Sequence, residues 1–279
     1  MTCIGPGPRP VWSFRNPHPP RPIEPFDLFH PAVPPELEGL RILHLSDLHI
    51  ERLRPRPAYL ERTLAALRVT PADLVVLTGD YMTHPGDEPA ALAALIRCAS
   101  AWNSRFGACA IAGNHDTPGF LKSARIPGLK WLSHESVEIP IDRGRGKTTL
   151  RLIGSGFPES LLAASSPPSD NFSLALVHDP AQVYAAARLS IPIVLAGHTH
   201  GGQFRPHKSF APHTSCDLPG AFASGIFRLD STILCISRGL GSAFLPFRFN
   251  CPPQAPLYTL RRAEHAAQAC PTLSCVRRW

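Results

Sequence analysis

Between Leu40 and His49 the chain reads LRILHLSDLH, an apolar run that ends in an aspartate and a histidine. Residues 40–45 are predicted to form a buried strand, so the polar residues follow at the point where the chain leaves it. Four later apolar runs end in the same way, and the residues that follow them are Gly79-Asp80, Gly113-Asn114-His115-Asp116, His178-Asp179 and Gly197-His198-Thr199-His200.

The segments between these runs have helical periodicity. Leu60, Leu64 and Leu67 are spaced as on one helix face, and this helix is predicted to end before Pro71. A second helix is predicted to present Leu92, Leu95, Ile96 and Ala99 on one face. Alternation of strands and helices indicates an α/β fold. Further strands are predicted at 74–78, 109–112, 150–153, 174–177, 193–196, 233–236 and 257–260.

The polar residues at the run ends have the chemistry of metal ligands. In an α/β sheet the carboxyl ends of the strands meet at one edge, so these side chains are predicted to converge. Two carboxylates, four imidazoles and one amide are too many ligands for one tetrahedral ion and suit two ions that share a carboxylate. The candidate ligands are Asp47, His49, Asp80, Asn114, His178, His198 and His200.

Taken singly, each of these motifs has an ordinary structural explanation. Gly-Asp is common in turns, Gly-Asn-His can cap a helix, and a lone histidine beside an apolar run is more often hydrogen-bonded than a ligand. A structural explanation must account for five such motifs separately, whereas one dinuclear site accounts for them together. The joint pattern therefore favours a metal centre.

In order and spacing, these motifs resemble the calcineurin-like metallophosphoesterase superfamily, over about residues 40–262. The resemblance implies an α/β fold in the form of a four-layer α/β/β/α sandwich of two mixed sheets. It places Asp47, His49 and His200 on one metal ion, Asn114, His178 and His198 on the other, and Asp80 between the two. It also implies that His115 is catalytic and faces the substrate, with Asp116 orienting it from behind.

The resemblance implies an enzyme that hydrolyses a phosphoester or a pyrophosphate with hydroxide activated by two divalent ions. Oxygen and imidazole ligands without thiolate suit Mn, Fe or Zn, and Mn is favoured for work in vitro. In this role His115 donates a proton to the leaving oxygen or stabilises charge on the phosphoryl group.

Three flanking segments resemble a bacterial branch of the superfamily, namely residues 197–203, 237–241 and 246–248. That branch includes membrane-associated phosphoesterases and enzymes that cleave UDP-diacylglucosamine in lipid A biosynthesis. The resemblance thus admits a lipid-linked pyrophosphate as substrate and peripheral contact with a membrane. Arg238 and Arg248 lie in these segments, where they could bind a substrate phosphate or could pair with acidic groups and carbonyls of the fold.

Composition limits the alternatives. The 279 residues carry 28 Lys and Arg against 21 Asp and Glu, a net charge of +7 without the basic tract typical of nucleic-acid binders. A nuclease of the same fold is therefore disfavoured, although a general phosphodiesterase stays open. A non-catalytic scaffold is also disfavoured, because such a protein is expected to have lost ligands and this chain has them all.

The sequence predicts three segments: a proline-rich arm (1–38), the metallophosphoesterase domain (39–262) and a tail (263–279). Neither a secretory signal nor an apolar run of about 18 residues is found, so no membrane-spanning helix is predicted. The eight cysteines have no CxxC spacing and are interpreted as reduced thiols. These features predict a cytoplasmic protein, with the inner face of the membrane as a further location, and leave the oligomeric state open.

Overall fold

The computed structural model describes residues 22–54, 57–144, 146–164, 170–207, 210–264 and 272–278. The strands, in chain order, are β1 (Ile23–His30), β2 (Arg41–Leu45), β3 (Pro71–Ala72), β4 (Leu74–Leu77), β5 (Asn103–Ser104), β6 (Ala108–Ala110), β7 (Leu129–Trp131), β8 (Glu135–Asp142), β9 (Lys147–Ser155), β10 (Phe172–Val177), β11 (Ile193–Ala196), β12 (Gly225–Leu229), β13 (Thr232–Ile236), β14 (Ala255–Arg262) and β15 (Ser274–Arg278). The α-helices are α1 (Ala58–Val69), α2 (Glu88–Ala99), α3 (Pro118–Ser123), α4 (Leu161–Ala164) and α5 (Val183–Arg188).

The longer strands form two mixed sheets. The first has the strand order β1-β14-β2-β4-β6-β7, and the second has the order β15-β12-β13-β11-β10-β9-β8. At the centre of the first sheet β2, β4 and β6 are parallel, and at the centre of the second β9, β10, β11 and β13 are parallel. Parallel neighbours bring the carboxyl ends of these strands to the same edge of each sheet.

Three apolar cores separate four layers. One core joins the two sheets and includes Ile42 and Val76 from the first sheet and Leu174 and Leu195 from the second. A second core lies between the first sheet and helices α1, α2 and α3, and a third lies between the second sheet and helices α4 and α5. The predicted α/β/β/α sandwich of two mixed sheets is therefore confirmed.

Strand β2 accounts for the continuous apolar run in the sequence. Leu43 and Leu45 pack on the helical side, whereas Ile42 packs in the core between the sheets. The ring of His44 lies on the inter-sheet side as well, 6.1 Å from that of Tyr258. A strand buried on both faces needs apolar residues at nearly every position, which is why no alternation is visible.

Helix α2 forms where the periodicity predicts it, and of the predicted face Leu95 is buried, Leu92 and Ala99 pack partly buried against the core, and Ile96 alone is exposed. Its wholly buried residues are Ala91, Ala94, Leu95 and Cys98, while Ile96 is 41% exposed. The helix turns its small residues to the sheet, since alanines permit a closer approach than the larger side chains at the predicted positions.

Strands β1 and β15 lie in the segments predicted as the arm and the tail. All eight residues of β1 pair in parallel with β14, and β15 pairs with β12. The two strands extend the sheets of the domain predicted over residues 39–262. The arm's Trp12 and Phe14 lie outside the described residues. Within the described ranges, no helix has both the length and the apolarity that crossing a membrane requires.

Candidate metal centre

The candidate ligands lie beyond the carboxyl ends of five strands. Asp47 and His49 follow β2, Asp80 follows β4, and Asn114 follows β6 in the first sheet. In the second sheet His178 follows β10, and the pair His198 and His200 follows β11. The tertiary structure thus brings residues that are up to 153 positions apart in the chain to one edge of the sandwich.

The first group of ligand atoms comprises one atom each from Asp47, His49, Asp80 and His200, all within 4.8 Å of one another. All four residues are buried. Oδ2 of Asp47 and both ring nitrogens of His49 lack a hydrogen-bond partner. Buried polar atoms without partners are costly, so acceptors that converge in this way fit a cation. The residues present therefore suit a metal ion.

The second group comprises Asp80, His178 and His198. Nδ1 of His178 donates to the carbonyl of Thr78 (2.7 Å), and Nε2 of His198 donates to the carbonyl of Ser215 (2.6 Å), because a carbonyl only accepts. The remaining nitrogens, Nε2 of His178 and Nδ1 of His198, face each other at 3.1 Å. A histidine that binds a metal through one ring nitrogen commonly donates the N–H of its other ring nitrogen to a carbonyl, as His178 and His198 do.

Two side-chain oxygens lie close to Nε2 of His178. Oδ1 of Asn114 lies 2.9 Å from Nε2 of His178, and Oδ2 of Asp80 lies 3.3 Å from it. The same Asp80 oxygen lies 3.3 Å from Nε2 of His49 in the first group. Asp80 therefore contacts both groups, the position that a bridging carboxylate requires.

The electrostatics of the centre favour positive charge. Burial raises the pKa of the Asp80 carboxyl, but the charges and hydrogen bonds of His178 and His49 together outweigh burial and hold that pKa well below its usual range. Burial lowers the pKa of His178, but Asp80, the charge of Asp47 and the hydrogen bond to Thr78 together outweigh burial and raise that pKa to about 10. A buried site that attracts a proton so strongly also attracts a metal cation.

His115 borders the first group. Its ring centroid lies 4.8 Å from that of His49, and its Nδ1 is 2.8 Å from the carbonyl oxygen of Thr83. Nδ1 therefore carries a proton, and Nε2 is the nitrogen left for a substrate. The backbone N–H of His115 also donates to Oδ1 of Asp80, at 2.9 Å.

Asp116 does not orient His115, contrary to the expectation from the sequence. Its carboxylate accepts the backbone N–H groups of Asp80, Tyr81 and Gly113, each at 2.8 Å. Burial and the charge of Asp80 raise the pKa of Asp116 to about 6. Asp116 thus joins the loops after β4 and β6, and Thr83 takes the orienting role.

Several candidate ligands have a strained backbone. Asp47, His49, Asp80, His198 and His200 all have positive φ, between 44° and 70°. For residues other than glycine, the left-handed region costs about 1–2 kcal/mol each. Such strain is typical of functional sites, and the sequence carries no signal for it.

Glycines make room for the two carboxylates. A Cβ on Gly113 would lie 2.1 Å from Oδ1 of Asp80, and one on Gly197 would lie 2.0 Å from Oγ of Ser46. A Cβ on Gly239 would lie 2.6 Å from Cβ of Asp47. Gly79, before Asp80, has a φ of +96° that favours glycine, whereas Gly113 and Gly197 are needed for close packing.

Arg238 and Arg248 are structural. Arg238 is 2% exposed and forms an ion pair with Glu24 at 2.6 Å. Arg248 is 8% exposed and donates to the carbonyl of Arg238 at 2.8 Å, and its Nη2 lies 3.3 Å from Nδ1 of His200. Of the two roles open to these arginines from the sequence, the structure supports the one within the fold.

The sequence is similar to known proteins. A family model described as calcineurin-like phosphoesterase matches residues 40–202. The chain is 26% identical to the uncharacterized metallophosphoesterase YkuE of Bacillus subtilis (strain 168), over 82% of each chain. It is 25% identical to the phosphodiesterase YaeI of Escherichia coli (strain K12), over 79% of this chain and 82% of YaeI. It is 26% identical to the UDP-2,3-diacylglucosamine pyrophosphatase LpxG of Chlamydia muridarum (strain MoPn / Nigg), over 67% of this chain and 57% of LpxG.

Proposed function

The chain belongs to the calcineurin-like phosphoesterase family and is a metal-dependent hydrolase, and from this premise we propose that it cleaves a lipid-linked phosphoester or pyrophosphate. The observation that carries the proposal is the convergence of buried carboxylate and imidazole ligands from both sheets on two neighbouring groups, one of which holds buried atoms of Asp47 and His49 that lack a hydrogen-bond partner. A scaffold has no reason to retain such costly groups, since each could be replaced by an apolar residue.

We assign Asp47, His49 and His200 to one divalent ion and Asn114, His178 and His198 to the other, with Asp80 shared. Support comes from Oδ2 of Asp80, which is 3.3 Å from a nitrogen in each group. Ligands of this kind accept Mn, Fe or Zn, and we propose Mn for the enzyme in vitro. When bound, the two ions supply an activated water molecule and neutralise the charge of the phosphate oxygens.

The chain itself supplies the proton. With Nδ1 held by the carbonyl of Thr83, a protonated His115 presents Nε2–H to the substrate. Water adds to phosphorus as the bond to the leaving oxygen breaks, and His115 donates the proton that this oxygen needs. Asp80 helps to place His115, because its Oδ1 accepts the backbone N–H of that residue.

The choice of a lipid-linked substrate is supported by the relatives and by the surroundings of the site. LpxG is named for cleavage of UDP-diacylglucosamine, a sugar nucleotide that carries two acyl chains. Large apolar side chains also border the candidate site: Phe157 stacks on the ring of His198 with centroids 6.3 Å apart. An apolar border suits a substrate with an apolar part. The name of YaeI favours a second candidate, a phosphodiesterase of wider substrate range.

We further propose that the protein acts in the cytoplasm, at the inner face of a membrane, where a lipid-linked substrate would be presented. Cysteine usage supports a reducing compartment: Cys98, Cys109, Cys235 and Cys251 are buried as free thiols. The net charge of +7 suits an anionic membrane surface better than it suits sequence-independent binding of nucleic acid.

The test is an assay of the protein stripped of metal and reloaded with Mn, against a phosphomonoester, a phosphodiester and a UDP-linked acylated sugar. Asp80→Asn and His115→Asn serve as matched variants, with metal content per chain measured for each. We expect preference for the acylated sugar, about two ions per chain, and loss of activity in both variants. Preference for the diester would favour the wider phosphodiesterase, and fewer than about one ion per chain after saturation would contradict a dinuclear centre.

A further inference from the structure

A set of exposed apolar side chains lies on two neighbouring loops, residues 203–207 with Phe210 and residues 242–249, and we call this set the phenylalanine rim. Its members are 42% to 85% exposed, and they are Phe204, Phe210, Phe244, Leu245, Phe247 and Phe249. Both arginines of these loops, Arg205 and Arg248, are buried. The surface that the described part of the loops offers to solvent is therefore mainly apolar. Contiguous apolar surface of this kind usually marks a binding face.

The rim is held in place by the side-chain amide of Gln203, which bonds the backbone of the second loop, and by a ring contact between the loops. Gln203 donates from Nε2 to the carbonyls of Ala243 and Leu245, both at 3.0 Å, and accepts the N–H of Ala243 at 2.9 Å. The rings of Phe204 and Phe249 stack across the two loops at 5.1 Å. The N–H of Gln203 donates to the carbonyl of His200 at 3.0 Å. The rim is thus a built surface that is joined directly to a candidate metal ligand.

Phe244 is the member of the rim that borders the candidate metal centre. Its ring centroid lies 6.4 Å from that of His115, and its side chain is 85% exposed. Its φ is +58°, in the region that favours glycine. Exposure of a large aromatic ring and left-handed strain both raise the free energy of the fold, and the edge contact with His115 leaves most of the Phe244 ring exposed. We therefore expect the ring of Phe244 to contact a ligand.

Exposed arginines lie on a turn that is joined to the loop beside His115. Arg52, Leu53 and Arg54 are exposed on the turn after His49, and Leu53 is 89% exposed. The N–H of Arg52 donates to Asp87, whose carboxylate also accepts the N–H of His84, next to Thr83. This turn therefore packs beside the loop that holds His115. An apolar surface next to exposed arginines suits an anionic lipid surface, because the rings enter the interface and the guanidinium groups meet the headgroups.

We propose that the phenylalanine rim and the Arg52–Arg54 turn bind the surface of an anionic lipid bilayer, with the metal centre opening toward it. The proposal rests on the proposed function, in which the substrate is lipid-linked. A lipid substrate would then reach the centre without its acyl chains leaving the apolar phase. Transfer of those chains to water would cost about 0.8 kcal/mol for each CH₂ group.

The experiment measures flotation of the full chain with vesicles of phosphatidylglycerol and of phosphatidylcholine. We expect binding to phosphatidylglycerol vesicles, weakened roughly tenfold or more by Phe244→Ser/Phe247→Ser. The matched control is Val69→Ser/Leu189→Ser, which removes two exposed apolar side chains at the far ends of α1 and α5. The control is expected to float like the wild type. Both doubles are first shown to keep the wild-type melting temperature and metal content.

A charge variant tests the second element of the surface. Arg52→Glu/Arg54→Glu is expected to weaken binding to phosphatidylglycerol and to remove most of its dependence on salt. Flotation of the rim double equal to that of the wild type would overturn the proposal, as would a wild type that floats with neither vesicle. Dimers of the wild type that the rim double dissociates, without any flotation, would assign the rim to a second copy of the chain instead.

The two proposals fail in distinguishable ways. Asp80→Asn leaves the rim intact and is expected to float like the wild type while losing hydrolysis. If the chain floats through the rim but hydrolyses none of the three substrates, the lipid-binding surface is supported and the proposed function is contradicted. If the chain cleaves the acylated sugar but does not float, the lipid-binding surface is contradicted and the proposed function is supported.

Discussion

The two ligand groups of the candidate centre differ in how their polar atoms are satisfied. In the first group, both nitrogens of His49 and one oxygen of Asp47 are buried without a hydrogen-bond partner, and the nearest carboxylate oxygen to His49, that of Asp80, lies 3.3 Å from Nε2. In the second group, His178 and His198 each donate one ring N–H to a backbone carbonyl. The second group is therefore oriented by the protein, whereas the first depends on a cation to satisfy its ligands.

Exposure separates the groups as well. His49 is 4% exposed, and its side chain is enclosed between Asp80 and the rings of His115 and His200. His198 is partly exposed and lies against the half-exposed ring of Phe157. If a histidine is removed, water can therefore replace it as a ligand more readily at the position of His198 than at that of His49. The comparison teaches that equivalent ligands need not have equivalent effects when removed.

Asp80→Asn is expected to have the largest effect, because Asp80 contacts both groups. Loss of its charge removes the attraction for two cations at once, so activity should fall by roughly a thousandfold and metal content should fall well below two ions per chain. The measurements are the rate of phosphodiester hydrolysis and elemental analysis of the desalted protein. Asp142→Asn, at an exposed position of β8, is the matched control and should change neither. Two retained ions with near wild-type activity would show that Asp80 does not join the groups.

Gly239→Ala tests the close packing behind the first group. Gly239 has φ +68° and would place a Cβ 2.6 Å from that of Asp47, whereas Gly86 has φ +96° and nothing within 4 Å. Backbone strain alone should cost each alanine variant about 1 kcal/mol. We expect Gly239→Ala to lose about 2 kcal/mol more than Gly86→Ala in free energy of unfolding, because Asp47 must move. Urea denaturation of the two variants gives the difference, and equal losses would contradict the steric explanation.

His49→Ala and His198→Ala compare the groups directly. We expect the apparent Kd for Mn to rise roughly a hundredfold for His49→Ala and roughly tenfold for His198→Ala, since water can replace only the more exposed ligand. Titration calorimetry on metal-free protein measures both, and His207→Ala, at an exposed position on the rim loops, is the control. Equal losses of Mn affinity in His49→Ala and His198→Ala would contradict the claim that water replaces the more exposed ligand more readily.

His44 allows a smaller test, below the second group. It is buried, its Nε2 bonds Oγ1 of Thr78 at 2.8 Å, and the carbonyl of Thr78 accepts from His178. Burial lowers the pKa of His44 to about 3. The unfolded chain therefore takes up a proton below pH 6.5 that the folded chain does not, so stability falls as the pH drops.

The size of this effect follows from linkage. Between pH 8 and pH 6, His44 should lower the free energy of unfolding by about 1 kcal/mol, and His44→Leu should remove that share of the acid sensitivity. The measurement is chemical denaturation of both proteins at the two pH values. An identical decrease in wild type and variant would show that His44 is not held neutral in the fold.

Much of the fold could be predicted from the chain because its signals are local. Strand β11 begins and ends where the apolar run 193–196 predicts, and α1 lies over the predicted leucine spacing. The missed strands β8 and β12 have weaker signals. Strand β8 contains Pro140 and three acidic residues, and its place at the edge of the second sheet tolerates both.

The site could be predicted only as a set of residues. That Asp80 meets both groups depends on strands from two sheets, and the partners of His115, His178 and His198 are backbone carbonyls. Every residue has a backbone carbonyl, so the sequence does not show which carbonyls accept hydrogen bonds from these histidines. The interpretation of Asp116 was wrong for this reason, since adjacency along the chain is a poor guide to which groups a carboxylate meets.

The sequence by itself determined the α/β alternation and the candidate ligands, because apolar periodicity and polar residues at strand ends are properties of short segments, whereas the four layers were expected only from the family resemblance. The tertiary structure alone decided that Asp47 and His49 hold buried atoms without hydrogen-bond partners, that five candidate ligands have left-handed backbones, and that Gly239 packs on Asp47. It also decided that Arg205 and Arg248 point inward while the phenylalanines of the same loops face solvent. These features arise from contacts between segments far apart in the chain, which no local pattern encodes.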